Sequence, residues 1–293
     1  MNWNTLSIKF RQAFISLPLL FIGCFLFIPL LLTIVVSFWE KTGLKFKPAF
    51  TFRSYEAIIE GARLIVLYRS LIVSATATIV CLMIAYPIAY FLARRSRPAV
   101  ARIVLILFTI PFLINYIVRN VAWTSILSRT GIINILLQKF GLIDLSIDWL
   151  LYSYFSVYIG LVSTYMPFMI FPLFLSISTI EKSYFEASSD LGASAIKTFI
   201  QITIPLSMPG IFAALIFGFV GCMGESAVPI IMGGVGFELL GNTIASSMDV
   251  LNYPLAAALS SIVIFLMFGF LLGWFLIFDL KIFLGKLLEW KSN

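Results

Sequence analysis

Six stretches of this chain are long, apolar and free of Asp, Glu, Lys and Arg. They are residues 12–39, 70–93, 103–118, 149–180, 198–224 and 250–278. A helix crosses the roughly 30 Å hydrocarbon core of a bilayer with about 20 such residues. Inside lipid, only helices and closed barrels satisfy every backbone N–H and C=O. The pattern predicts an all-α membrane protein with six transmembrane helices. The third stretch is short and is expected to extend back to about Ala99, with Arg102 reaching to the interface. The fourth and sixth exceed one crossing and should include kinked or interfacial turns. Pro18, Pro29, Pro87, Pro111, Pro167 and Pro172 fall inside spans, where neighbouring helices can satisfy the freed carbonyls.

Composition narrows the function. The chain is 61% hydrophobic and 11% charged, against about 25% charged for a soluble domain. That excludes an ordinary soluble enzyme, a nucleic-acid partner and a flexible tail. There is no histidine, so the commonest metal ligand and general base are missing. Cys24, Cys81 and Cys222 lie far apart in apolar runs and read as small buried hydrophobes. No metal site and no catalytic residue is expected.

The net charge of +7 fits basic inner loops beside anionic lipid. The short connection after the second stretch holds Arg94, Arg95, Arg97 and Arg102, which places it, and with it both termini, in the cytoplasm. The loop over 224–250 carries Glu225, Glu238 and Asp249 and no basic residue, as an outer loop can. Lys9 and Arg11 precede a run longer than a signal-peptide core of about 7–15 residues, which reads as a retained span. Residues 131–140 have apolar side chains at helical spacing, and Gly141 follows as a candidate C-cap.

Residues 181–209 differ from the rest. They read EKSYFEASSDLGASAIKTFIQITIPLSMP. Ser183 and Glu186 form a capping-box pattern at the start of a short helix. Gly192 permits a sharp turn. A second short amphipathic helix over 193–202 leads to Pro205. A plain helix–turn–helix connection is one reading of this stretch.

The motif is more specific than that. Glu186-Ala187-Ser188, Asp190-Leu191-Gly192-Ala193 and Ile202-Thr203-Ile204-Pro205 resemble the EAA loop of inner-membrane subunits of binding-protein-dependent ABC importers. The family has Ala where this chain has Ser188, and Leu where it has Ile204; both departures are mild. Ile110-Pro111, Asn115-Tyr116, Arg119, Ala122-Trp123, Gly131 to Asn134, Gly224-Glu225, Pro229, Gly233-Gly234 and Gly241-Asn242 resemble the spermidine/putrescine permeases. Permeases for thiamine, iron, sulfate or phosphonate share much of this framework.

The resemblance implies the type I ABC importer permease fold. Residues 1–66 would form an extra N-terminal transmembrane helix and outer loop. Residues 67–278 would form the permease domain, with a coupling loop at 181–205, and residues 279–293 a cytoplasmic tail. The first loop helix would dock in a cytoplasmic ABC ATPase dimer through Glu186, Ala187, Asp190, Gly192, Ala193 and Pro205. ATP closure would rock the spans from inward- to outward-facing. The remaining partners would be a second permease subunit, a periplasmic substrate-binding protein and the lipid bilayer of the inner membrane. No G-x-x-x-x-G-K-[ST] loop occurs; the Gly285-Lys286 pair lacks the upstream glycine and the following hydroxyl. ATP and Mg are therefore expected on the ATPase, and no cofactor on this chain.

For the substrate path, the candidates near span ends are Asn115, Tyr116, Trp123, Tyr165, Glu225 and Asp249. Carboxylates and aromatic faces suit an extended polycation. Glu225 reads either as a solvated loop acid or as a path residue at membrane depth. Trp123 and Tyr165 read either as path residues or as packing aromatics. A secondary transporter would place carboxylates near the bilayer midplane, where these stretches have none. An intramembrane enzyme would need a nucleophile with a base.

Overall fold

The computed structural model describes residues 3–43 and 45–277. The tail at 279–293 and the side chains of Lys9 and Arg11 lie outside the described residues. What is described falls into two compact units. One takes the chain up to Arg63 together with Ile244–Leu266; the other takes Leu64–Thr243 with the chain from Met267 on.

In the first unit, helix α1 (Trp3–Val36) carries the apolar stretch Leu20–Val36. Pro18 and Pro29 lie inside it, and the Thr33 hydroxyl donates to the Pro29 carbonyl at 2.9 Å. Cys24 is exposed on this helix, not buried as expected; Cys81 and Cys222 are buried. After α1 comes an element that the all-helical reading did not contain. Strands β1 (Glu40–Thr42) and β2 (Lys45–Lys47) pair antiparallel, with Glu40 opposite Lys47. Three-residue strands are too short for a period-two signal to stand out. Helix α2 (Arg53–Ile59) follows. Phe38 stacks on Phe50, meets Phe52 edge-on and lies tilted against Tyr55, and Ser37 bonds the Tyr55 hydroxyl at 2.8 Å.

Helix α3 (Arg63–Tyr90) ends in a π turn, Phe91–Arg95. Pro98 then starts α4 (Pro98–Leu113), close to the expected Ala99. The sequence reading carried this span on to residue 118. The structure stops it at Leu113, because Asn115 caps a new helix, α5 (Tyr116–Leu127), by accepting from the Ile117 amide at 2.8 Å. The chain bends by 93° there.

Helix α6 (Ile132–Lys139) forms where expected. Its end is a Schellman turn: Leu142 N–H bonds Leu137 O, Gly141 N–H bonds Gln138 O, and Gly141 has φ +69°. The buried Asn134 bonds Ser128 O and both backbone groups of Ile147.

Helix α7 (Tyr154–Ser178) starts with a true capping box, Ser153 with Ser156. Helices α8 (Lys182–Asp190) and α9 (Ala195–Thr198) form the hairpin. A π turn, Phe199–Thr203, runs on into α10 (Ile204–Gly224) without a break. The helical path over Ala195–Gly224 is one span of 30 residues. Pro205 therefore does not separate a short helix from the span. It lies directly after the π turn, inside that continuous helical path.

The loop over 224–250 is largely helical: α11 (Ala227–Met232) and α12 (Leu240–Asp249). Helix α13 (Tyr253–Ile277) completes the described chain. Among the described residues, 4 helices are long and apolar enough to cross a membrane, or 5 if the bent α4–α5 region is one span. Leu20–Val36 of α1 is a shorter apolar segment.

In the second unit, α7 lies along α10. Small residues allow the approach: Gly210 sits against Pro172 and Ser176, and Gly218 against Met169. Without a hydrophobic drive between helices in lipid, such close contact is what holds spans together. Two buried clusters result. One joins Ala77, Leu127, Leu161, Val228 and Leu239; the other joins Ala85, Ala101, Ile170, Leu173 and Ala214.

Candidate functional site

Two places in the second unit gather the residues singled out in the sequence. The first is the hairpin of α8 and α9. Its first helix is not capped as the sequence suggested. Glu181 occupies the N-cap position without a side-chain cap, and Ser183 lies inside the helix, donating to the Glu181 carboxylate at 3.2 Å. Because the helix starts before Ser183, the hydroxyl cannot reach the amides it would have capped, and Glu186 has no capping role. Glu186, Ala187 and Asp190 are exposed on α8, and Ala193 is half-buried. Pro205 lies further along, on α10, and is also exposed.

Gly192 is where the geometry is most demanding. It has φ +72°, its amide bonds Ser189 O at 2.9 Å, and the Ala193 amide bonds Ser188 O at 3.0 Å. This is a Schellman stop, which favours glycine because an L side chain is strained there. The turn presents Leu191 with 87% of its surface exposed.

The hairpin is held from behind. Ser188 is buried, and its hydroxyl bonds the Thr198 hydroxyl at 2.7 Å. The departure from Ala at this position thus adds a tie between α8 and α9. The Arg94 guanidinium lies 3.7 Å over the Phe185 ring and donates to Ile180 O at 3.2 Å. Phe199 meets Tyr86 and Tyr90 edge-on, and Tyr86 bonds Ser207 at 2.8 Å. Both π turns, at the end of α3 and the start of α10, flank this assembly. Such turns recur at functional positions in helices.

The second place is a cavity of about 630 Å³ where the α4–α5 bend, α7 and the end of α10 meet. Of the six path candidates it brings together Asn115, Tyr116, Tyr165 and Glu225. Trp123 packs against the buried cluster instead. Asp249 is exposed at the end of α12, in the other unit. Arg119, Thr164 and Phe168 are among the lining residues that sequence reasoning did not name as path candidates. The signal was helical spacing, since Arg119 follows Asn115 by four and Phe168 follows Thr164 by four.

Glu225 is half-buried and held by three hydrogen bonds. Its Oε1 accepts from the Ala227 and Val228 amides at 2.9 and 3.3 Å, and its Oε2 accepts from the Tyr165 hydroxyl at 2.8 Å. The Tyr165 ring lies directly on Gly221, where a Cβ would overlap it. Absence of a side chain at 221 is what lets Tyr165 reach Glu225. Arg119 donates to Pro111 O at 3.3 Å, and its buried Nε has no partner.

Comparison with known proteins shows the family. The family described as "Binding-protein-dependent transport system inner membrane component" matches residues 81–280. This chain belongs to that family. It is the permease component of an ABC importer, a multi-pass inner-membrane transport subunit and not an enzyme. The spermidine/putrescine transport system permease protein PotB of Escherichia coli K12 is 36% identical over 250 residues, covering 85% of this chain and 90% of that protein. PotB of Haemophilus influenzae is 32% identical, covering 86% and 88%. Two solved structures share the fold. A chain of a bacterial alginate ABC transporter, in complex with alginate pentasaccharide-bound periplasmic protein, has a TM-score of 0.69 at 13% identity over 92% of this chain and 94% of its own. A second alginate importer has a TM-score of 0.66 at 15% identity, with the same coverage. Importers of this family work with a binding protein and an ATPase.

Proposed function

We propose that this permease subunit carries polyamines of the spermidine/putrescine class, and that the cavity at Glu225 is part of their path. The carrying observation is a carboxylate fixed at the cavity wall beside the aromatic rings of Tyr116, Tyr165 and Phe168. A polycation gains from the charge and from the ring faces. The substrate of the PotB relatives supports the same choice. Glu225 already accepts three hydrogen bonds, and Arg119 lines the same cavity. Both features weaken its hold on a cation. That suits a path, where binding must favour entry yet permit exit.

In this reading both termini and the α8–α9 hairpin face the cytoplasm. The hairpin docks on an ABC ATPase dimer that binds ATP and Mg, with Glu186, Ala187, Asp190, Gly192, Ala193 and Pro205 forming the coupling segment. A second permease subunit completes the path, and a periplasmic binding protein delivers the substrate. Arg119 supports one other reading, an anionic solute such as sulfate or phosphonate, because this cation lines the same cavity and its buried Nε has no hydrogen-bond partner.

The test is ATP-driven uptake into proteoliposomes holding the whole importer, with labelled spermidine, putrescine, thiamine, iron, sulfate and phosphonate. Glu225→Gln keeps one oxygen to accept from the Ala227 and Val228 amides, turns the group facing the Tyr165 hydroxyl from an acceptor into an NH2 donor, and removes the charge. A hydrogen bond to a charged group is worth about 1.5–3 kcal/mol, so spermidine uptake should fall about tenfold or more. Unchanged spermidine uptake would remove Glu225 from the path. Sulfate or phosphonate uptake that fails in Arg119→Gln would favour the anionic reading.

A further inference from the structure

We propose that a basic pocket in the first unit, at the level where α1 ends and α13 begins, binds the phosphodiester of an anionic phospholipid head group. The pocket measures about 200 Å³ and is lined by Trp39, Lys41, Arg53, Arg63 and Asn252, among others. Three cations line it, against the one carboxylate of Glu40. Arg53 is ion-paired with Glu40. Lys41 and Arg63 are not matched in this way: Lys41 donates to Val250 O at 2.9 Å and Arg63 to Ala57 O at 3.2 Å. Among the described residues neither has a carboxylate within ion-pair distance. A carbonyl offers a dipole but no charge, so each ammonium or guanidinium keeps donors and charge for an anion.

Position selects the kind of anion. The apolar run of α1 ends at Val36 and that of α13 begins at Tyr253. The pocket therefore lies at head-group depth, beside both helix ends. Trp39 stacks on Phe46 at 5.8 Å, and Phe46 meets Tyr253 edge-on at 5.6 Å; aromatic side chains of this kind mark the membrane interface. Along α1, Leu31, Leu32 and Val35 are exposed and apolar, a surface on which acyl chains can lie. The volume is below the roughly 300–1,000 Å³ of pockets that enclose a whole small molecule. It suits a phosphodiester held at its head, with the tails outside.

The experiment uses the intact importer purified in detergent. It is supplemented with phosphatidylglycerol or phosphatidylcholine, and retained lipid is counted by native mass spectrometry. Wild type should keep phosphatidylglycerol in preference to phosphatidylcholine. The double variant Lys41→Gln/Arg63→Gln should lose about tenfold of that retention, as expected when two charge-assisted contacts go. Lys41→Arg/Arg63→Lys should retain it, which separates lost charge from lost folding. Lys139→Gln, on α6, removes a charge elsewhere and should have no effect. Equal retention in the double variant and wild type would overturn the proposal. Displacement of phosphatidylglycerol by millimolar inorganic phosphate would overturn the lipid as the source in favour of the free anion. Displacement by the periplasmic binding protein would overturn it in favour of an acidic protein surface.

Discussion

Replacing Gly192 separates a helix stop from a docking surface. A Cβ built at Gly192 meets nothing within 4 Å, so in this subunit a side chain there causes no clash. The cost is backbone strain alone. An L residue at φ +72° is strained by about 1–2 kcal/mol, while Asn tolerates the conformation. One to two kcal/mol changes an opening equilibrium by a factor of about 5–30. Hydrogen exchange at the Ala193 amide, which bonds Ser188 O, reads this opening directly. In the isolated subunit, Gly192→Ala should speed exchange by about that factor, Gly192→Val by more, and Gly192→Asn by little. Transport should follow a different order. If the turn docks in an ATPase groove, Asn intrudes as much as Val, and ATP-driven uptake should fail in both. Uptake that tracks strain alone, with Asn close to wild type, would refute docking through this turn and leave Gly192 as a helix stop.

Other outcomes follow from the same geometry. Gly221→Ala places a methyl where the Tyr165 ring lies. It should break the Tyr165–Glu225 bond and lower uptake, while Tyr165→Phe, which removes the hydroxyl without crowding, should leave the stability of the subunit within about 1 kcal/mol; equal behaviour in thermal unfolding would contradict the close approach. Ser188→Ala restores the usual family residue and removes one buried hydrogen bond. The Thr198 hydroxyl keeps its bond to Ser194 O at 3.1 Å, so the hairpin should lose only about 0.5–1.5 kcal/mol. Exchange at the α9 amides checks it, and a larger loss would mean that Ser188 does more than tie α8 to α9.

Much of the architecture was legible because lipid leaves few options. A run without charges, of sufficient length, has to be helical, and 70–93, 149–180, 198–224 and 250–278 each contain a crossing helix. The hairpin was legible because Gly192 and the residues around Glu186 form a spaced motif. Features set by one or two atoms were not. The end of α4 depended on whether Asn115 would cap a new helix or ride inside a span. The start of α8 depended on a one-residue choice between Glu181 and Ser183. The β1–β2 pairing rests on three residues a side. The cavity was half visible. Asn115, Tyr116, Tyr165 and Glu225 stood out as polar or aromatic residues near span ends. That Glu225 would be bonded by Tyr165, 60 positions away, and share its space with Arg119 depends on how α5, α7 and α10 meet. Trp123 and Asp249 carried the same sequence signal and lie elsewhere.

The α8–α9 hairpin is proposed as the point where an ATPase grips this subunit. Leu191, exposed beside Gly192, can be replaced by cysteine in the assembled importer and treated with a short thiol cross-linker. A cross-link to the ATPase subunit is expected, with a yield that changes between nucleotide-free and ATP-bound states. An importer that assembles and hydrolyses ATP, yet gives no cross-link from position 191 in any nucleotide state, would contradict it.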